Sequence, residues 1–309
     1  MREVNSPERP GEPGSGSDSH TLAGKVASWL STQGYPLEMR VAAAMRQGGL
    51  GVRQSVHYSD AESAKSREAD VVGTTVDRPG LAMALACFVV ECKAASKPWV
   101  LFTSPHTLAG YNRLFAFGVT NEAVKAGFDH PAQWAEELEW FKKDGPVGYN
   151  LQEAFADGSD RAYGAATSVV KAAMALVQPR EGEWQPPIRL AFPAIVVDAP
   201  LFECSLDDEG KPRLVEIALG WLFCDVCMPG YIPTCIRIVG RRGLAAYMSE
   251  VAEVRSKLFG LLGKAIRHEW KALRIPAPLS SPAQEAAQGQ GRGEDDDRTP
   301  DWRDGPGEG

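Results

Sequence analysis

The 309-residue chain contains no run of 18 apolar residues, so no helical membrane span is expected. Its first residues lack the basic segment and apolar stretch of a secretory leader, and the expectation is a soluble, cytoplasmic protein. The five histidines show no HExxH or HxH spacing, and no GxSxG sequence occurs. These absences set aside zincin-type metal hydrolases and the nucleophile elbow of serine hydrolases. Gly260-Leu-Leu-Gly-Lys264 is too short for a phosphate loop, and Ala265 stands where Ser or Thr would be needed. The chain has no internal repeat.

Strong positive charge is missing as well. The formal net charge is −7, which is not the footprint of a tight, non-specific nucleic-acid binder. The deficit lies at the two ends. Residues 1–20 hold four acids and two Arg, and residues 285–309 hold eight acids and three Arg. The remainder balances at 28 acids and 28 bases, with ten bases against seven acids over residues 21–120. A divalent cation at an acidic site would add positive charge locally, so nucleic acid stays open as a partner.

Cysteine is sparse, at six residues. Cys224-Asp-Val-Cys227 has the spacing of a zinc or redox pair, with Cys204 and Cys235 as conceivable further ligands. No second CxxC and no His pair completes a finger. Residues three apart on an extended strand also point to opposite faces. Free thiols in a reducing compartment are the default reading.

With 44% hydrophobic positions the chain has material for a sizeable core. Residues 1–20 and 276–309 are rich in Pro, Gly and acids and read as disordered tails. They flank one α/β domain over residues 21–275. Leu22, Val26, Trp29 and Leu30 define a first helical stripe, and Leu37, Val41, Ala44 and Met45 a second one closed by Gly48-Gly49. Gln54–Asp60 and Trp99–Thr103 read as strands, Pro131–Lys142 as an amphipathic helix. Asp160–Val177 reads as an Ala-rich helix anchored by Tyr163, Val170 and Met174. Extended segments follow at Arg189–Val197, Leu214–Phe223 and Thr234–Val239, and then a long helix from Gly243 to about Leu273. Lys171 reads as a solvated helix Lys, with a charge aimed at phosphate as the rival reading.

The most informative stretch is READVVGTTVDRPGLAMALACFVVECK, Arg67 to Lys93. Pro79-Gly80 is a turn signal between two extended runs. A hairpin symmetric about Gly80 and Leu81 sets Asp70 opposite Glu91 and Glu68 opposite Lys93. Opposed residues project from one face with Cβ atoms roughly 4.5–5.5 Å apart, and alternation adds Lys93 to the face of Glu91. Leu81–Val90 is apolar at both alternating positions, the pattern of a strand covered on both sides. Two acids and a Lys at the end of such a strand are costly unless they bind something, and oxygen ligands of this kind suit Mg²⁺. Cys92, by alternation, faces away and reads as a packing residue. The bland alternative is a Glu68–Lys93 ion pair with Asp70 and Glu91 at wet strand ends.

This arrangement resembles the PD-(D/E)XK, or restriction-endonuclease-like, nuclease superfamily, in which a hairpin strand carries the first acid and the next strand carries Glu-X-Lys. Ala69 precedes Asp70 where the motif's name has Pro, a position that varies in the family. Glu38, near the start of the second helix, matches an upstream Glu of the family, although an acid there also benefits from the helix dipole. The resemblance covers residues 22 to about 105, with Tyr163–Val177 and Ile188–Val197 matching the next helix and strand. It implies a central mixed β-sheet flanked by helices and a metal-dependent deoxyribonuclease using Mg²⁺, with Mn²⁺ as a substitute. It further implies Asp70, Glu91 and the Cys92 backbone carbonyl as metal ligands, Lys93 as the residue acting on water or phosphate, and Glu38 at a second metal or a metal-bound water. DNA is the implied partner; a homodimer is left open. The rival from another class is a catalytically silent nucleic-acid-binding or protein-interaction module of the same fold.

Overall fold

The computed structural model describes residues 21–31, 33–78, 83–109, 118–120, 138, 140, 146–156, 158, 160–178, 188–225 and 233–272. Strands β2 (Ser66–Asp77) and β3 (Ala84–Lys93) pair antiparallel from Val71↔Val90 to Asp77↔Ala84. This is the register of a hairpin symmetric about Gly80 and Leu81. β1 (Gly51–Ser59) lies along the outer edge of β2. The other edge of β3 pairs in parallel, over its whole length, with β7 (Ile188–Val197). Both strands are buried except at Leu85, Lys93 and Ile188, which are partly exposed. Their doubly apolar sequences require cover on both faces, and helices supply it.

On one face, Leu37, Val41 and Met45 of α2 (Tyr35–Gln47) and Val251, Val254 and Leu258 of α4 (Leu244–Ala272) pack around Ala86, Phe88, Val90 and Cys92. On the other face, α3 (Arg161–Val177) sets Ala165, Val169 and Ala173 against Cys87, Val89 and Ile195. The Asp160 carboxylate caps α3 by accepting from the Tyr163 N–H at 2.8 Å, satisfying one of the orphan donors of the first turn. Val170 is fully buried, but Tyr163 is 57% exposed. The expected Tyr163 anchor is therefore corrected: the buried face is made of small residues, Ala162, Ala165, Ala166, Val169 and Ala173 among them, and Tyr163 stands off it. The helix expected first, α1 (Leu22–Ser31), is present. Its stripe is not a buried one, since Leu22, Val26 and Trp29 are 79%, 45% and 53% exposed. Helical spacing determines which face is apolar but does not supply something to cover it.

The remaining strands are β4 (Trp99–Ser104), β5 (Val119–Thr120), β6 (Val147–Glu153), β8 (Leu201–Leu206), β9 (Pro212–Ile217), β10 (Leu219–Cys224) and β11 (Thr234–Val239). All join one mixed sheet in the order β1-β2-β3-β7-β11-β10-β6-β4-β8-β9, with β5 paired to β7. The protein is thus α/β, with a large mixed sheet flanked by helices. β3 and β7 each pass through a short connection into β4 and β8, which resume parallel pairing. The two chains stay side by side through the break: the Asp198 N–H donates to the Lys93 carbonyl at 3.0 Å and the Trp99 N–H to the Pro200 carbonyl at 2.9 Å.

The extended segment expected over Leu214–Phe223 is two strands. β9 pairs with β8 and β10 with β11, so the chain changes partner across Ala218. The Ala218 carbonyl accepts from the Gly240 N–H at 2.9 Å. A Cβ on Gly243 would lie 2.2 Å from that carbonyl oxygen, so this close crossing tolerates only glycine. β6 and β8 carry no clear alternation in sequence, and only one end of β8 is buried. Of the expected helix Pro131–Lys142 only Leu138 and Trp140 are described, both buried; the rest of it, and both expected tails, lie outside the described residues. Among the described residues no helix is long and apolar enough to cross a membrane.

Candidate functional site

Asp70, Glu91 and Lys93 meet at the carboxyl end of β3, where the β2–β3 ladder stops. Ladder pairing ends at Val71↔Val90. Beyond it the Cys92 N–H donates to Asp70 Oδ2 at 2.7 Å, so a carboxylate takes the place of a β2 carbonyl. The reason lies in the two outer strands. Val71 packs on the α2 face, whereas Ala69, two residues earlier, packs on the α3 face. Alternation would keep both on one face. β1 does the same: Val52 packs on the α2 face, Val56 and Tyr58 on the α3 face. The changeover falls between the pairs Gln54↔Val71 and Val56↔Ala69, at Ser55 and Asp70. Ser55 has φ +53°, a left-handed conformation uncommon outside glycine. Both strands turn over at this level, and Asp70 is left facing along the sheet toward β3. Non-glycine residues held in this region cluster at functional sites.

Glu91 is 6% exposed, and its Oε1 accepts from Lys93 Nζ at 2.6 Å. The two are next-but-one on a strand and share a face, as expected. Lys93 is therefore paired with Glu91, and the Glu68–Lys93 ion pair of the bland reading does not form among the described contacts. Glu38, in the first turn of α2, is pushed up from its ordinary value by burial, then by the charges of Glu68 and Glu91, with Lys93 opposing. Asp70 is pushed up to about 7, first by burial and then by Glu91 and Glu38, while the Cys92 N–H and Lys93 pull the other way. Four acids thus feel one another around a single Lys. Burial, then Asp70, Glu38 and Glu91, hold the Cys92 thiol well above its usual range. Cys92 is 6% exposed and packs on the α2 face. In a strand the N–H and C=O of one residue point to the same edge, so the Cys92 carbonyl lies on the Asp70 side.

Asp198, at the end of β7, is joined to Lys93 through the backbone and accepts a salt bridge from Arg40 of α2. This contact ties the helix that carries Glu38 to the strand ends that carry Glu91 and Lys93. Nothing in the sequence around Arg40 signals it, because the two residues are 158 positions apart. Among the described residues, no group of three or more His, Cys, Asp and Glu side chains is arranged to hold an ion as it stands.

The reading of Lys171 needs correction. Lys171 neither floats in solvent nor faces the site: its Nζ lies 2.6 Å from Glu62 Oε2 and 3.2 Å from Asp60 Oδ2. Asp60 is buried and also accepts from Ser63 Oγ, the Glu62 N–H and Arg67 Nε. Burial raises its pKa, but these donors outweigh it and hold the carboxyl well below the usual range. This hub locks the loop between β1 and β2 to α3. The described cysteines agree with the default reading of free thiols. Cys224 packs on the α3 face and Cys235 on the α2 face, while Cys227 lies outside the described residues. The thiols of Cys87, Cys92, Cys204, Cys224 and Cys235 are free of disulfides.

Comparison with protein-family models, curated proteins and solved structures found no match.

Proposed function

We propose that the chain is a Mg²⁺-dependent nuclease with a restriction-endonuclease-like core, hydrolysing phosphodiester bonds of DNA. The observation that carries this reading is the meeting of Asp70, Glu91 and Lys93 where the β2–β3 ladder opens, with Glu38 electrostatically coupled from α2. The donor set fits the ion. Mg²⁺ takes hard oxygen ligands, commonly one or two carboxylates, and keeps several waters. A cation there would offset the burial and, after it, the Glu91 and Glu38 repulsion that push Asp70 up to about 7. Asp70, Glu91 and the Cys92 carbonyl would hold the Mg²⁺, with Mn²⁺ as a substitute, and Glu38 would hold a second ion or a water of the first.

When bound, the ion supplies a water of lowered pKa and offsets charge on the scissile phosphate. Asp70 is oriented for this by the Cys92 N–H. Lys93 Nζ, now on Glu91, moves a short way to orient the attacking water or to meet the negative charge developing on phosphate. Glu91, buried at the strand end, keeps its geometry through that exchange because β7 flanks it along the whole strand.

A second reading, a catalytically silent nucleic-acid-binding or protein-interaction module of this fold, is favoured by one observation. Lys93 already neutralises Glu91 at 2.6 Å, which serves stability without any ligand. The two readings part on one experiment. Purified protein with Mg²⁺ or Mn²⁺ cuts DNA, and chelation abolishes the cutting; DNA binding without cleavage in either metal replaces the enzyme with the silent module.

A further inference from the structure

An acidic site that acts on a polyanion needs cations to receive the phosphates flanking the bond it cuts. The cations around the carboxyl end of β3 are nearly all engaged. Lys93 is on Glu91. Arg67 donates to Asp60, Arg161 to Glu153 and the Ala94 carbonyl, and Lys97 to the Phe155 carbonyl. Arg67, like Arg40, makes one contact, but to a carboxylate that is buried. Arg40 differs in that both members of its pair are exposed: it makes a single contact, from Nη2 to Asp198 Oδ2, with the side chains 55% and 43% exposed. Among the described residues its Nε and Nη1 have no partner. A guanidinium carries five N–H donors in a planar fork suited to two phosphate oxygens, and here most of them face water.

The position is as telling as the valence. Arg40 lies two residues after Glu38 on α2, and its partner Asp198 donates its backbone N–H to the Lys93 carbonyl at 3.0 Å. The guanidinium therefore stands where α2 meets the ends of β3 and β7. An exposed, single-contact ion pair contributes little to stability, so the exchange of Asp198 for phosphate costs the fold little.

We propose that Arg40 is a phosphate-binding residue of this site, held on Asp198 in the free protein and transferred to a backbone phosphate next to the scissile bond. The proposal rests on the nuclease reading and names the substrate group that Arg40 meets.

The test is the salt dependence of binding to a short labelled DNA duplex, in Ca²⁺, for the wild-type chain, Arg40→Ala and Asp198→Asn. Losing one phosphate contact lowers the slope of log K against log salt by about 0.9. Arg40→Ala is expected to show that loss, whereas Asp198→Asn, which frees the guanidinium, keeps the full slope and binds at least as tightly. An unchanged slope in Arg40→Ala overturns the proposal while leaving the nuclease reading intact. Equal weakening by both variants also overturns it, because Arg40 is then a strut that positions α2. If the wild-type chain binds no DNA, the nuclease reading falls and the proposal falls with it.

Discussion

Replacing Asp70 by Asn should make the protein more stable, and the gain should depend on pH. Moving a carboxyl from its ordinary value near 3.8 to about 7 costs the folded state about 4 kcal/mol once the group is fully ionised. Asp70 is only partly buried, and water screening of the Glu91 and Glu38 charges takes part of that away, so about 2 kcal/mol is the expected effect. The sign follows from the direction of the shift. The folded state holds the proton more tightly than the unfolded one, so the penalty is absent below pH 4, grows between pH 4 and 7, and is complete above pH 7. Asn keeps a carbonyl oxygen for the Cys92 N–H and has no charge to lose. Urea unfolding of both proteins in chelator, from pH 5 to pH 8, should give curves that converge at low pH and separate toward pH 8. Mg²⁺ should reverse the order at pH 8, because ligand at 100 times its Kd stabilises the wild-type chain by about 2.7 kcal/mol and Asp70→Asn binds it poorly. A gap that stays constant with pH, or a variant less stable at pH 8, would refute the argument that burial and neighbouring acids make the ionised Asp70 costly in this site.

Lys93→Ala should abolish Mg²⁺-dependent cleavage while leaving the circular-dichroism spectrum and metal affinity close to wild type; undiminished cutting would point to a contaminating nuclease. Ser55→Gly should raise stability by about 0.5–1 kcal/mol, since relief of the left-handed strain at φ +53° outweighs the entropy that glycine loses on folding; a lower denaturation midpoint would mean that the Ser side chain supports the turnover of β1. Glu250→Ala should cost about 3 kcal/mol, because Arg237 is 2% exposed and would be left charged over the Trp221 ring without its carboxylate. A loss under about 1 kcal/mol there would show that the Gly220 carbonyl, which accepts from Arg237 Nη1 at 3.1 Å, and the indole suffice to hold the guanidinium.

Local pattern alone carried the hairpin and the motif it presents. A turn signal and two extended runs determine a register, and the period of two in a strand then dictates that Asp70 lies at the level of Glu91 and that Glu91 and Lys93 share a face. The doubly apolar run Leu81–Val90 likewise required cover on both sides, because a strand with no polar face cannot border water. What no local pattern could supply was the partner of each surface. The stripe of α1 has helical spacing yet stays exposed, and Lys171 finds Asp60 and Glu62 over a hundred residues away. The change of partner across Ala218 depends on where Gly240 and Gly243 pass. The site itself divides along the same line. Its residue types were legible, but Asp70 faces β3 only because β1 and β2 turn over together at Ser55. The contact between Arg40 and Asp198 exists only because β7 ends beside β3. Those are consequences of strands distant in sequence sharing one sheet, and the free energy that decides them is burial summed over the whole core.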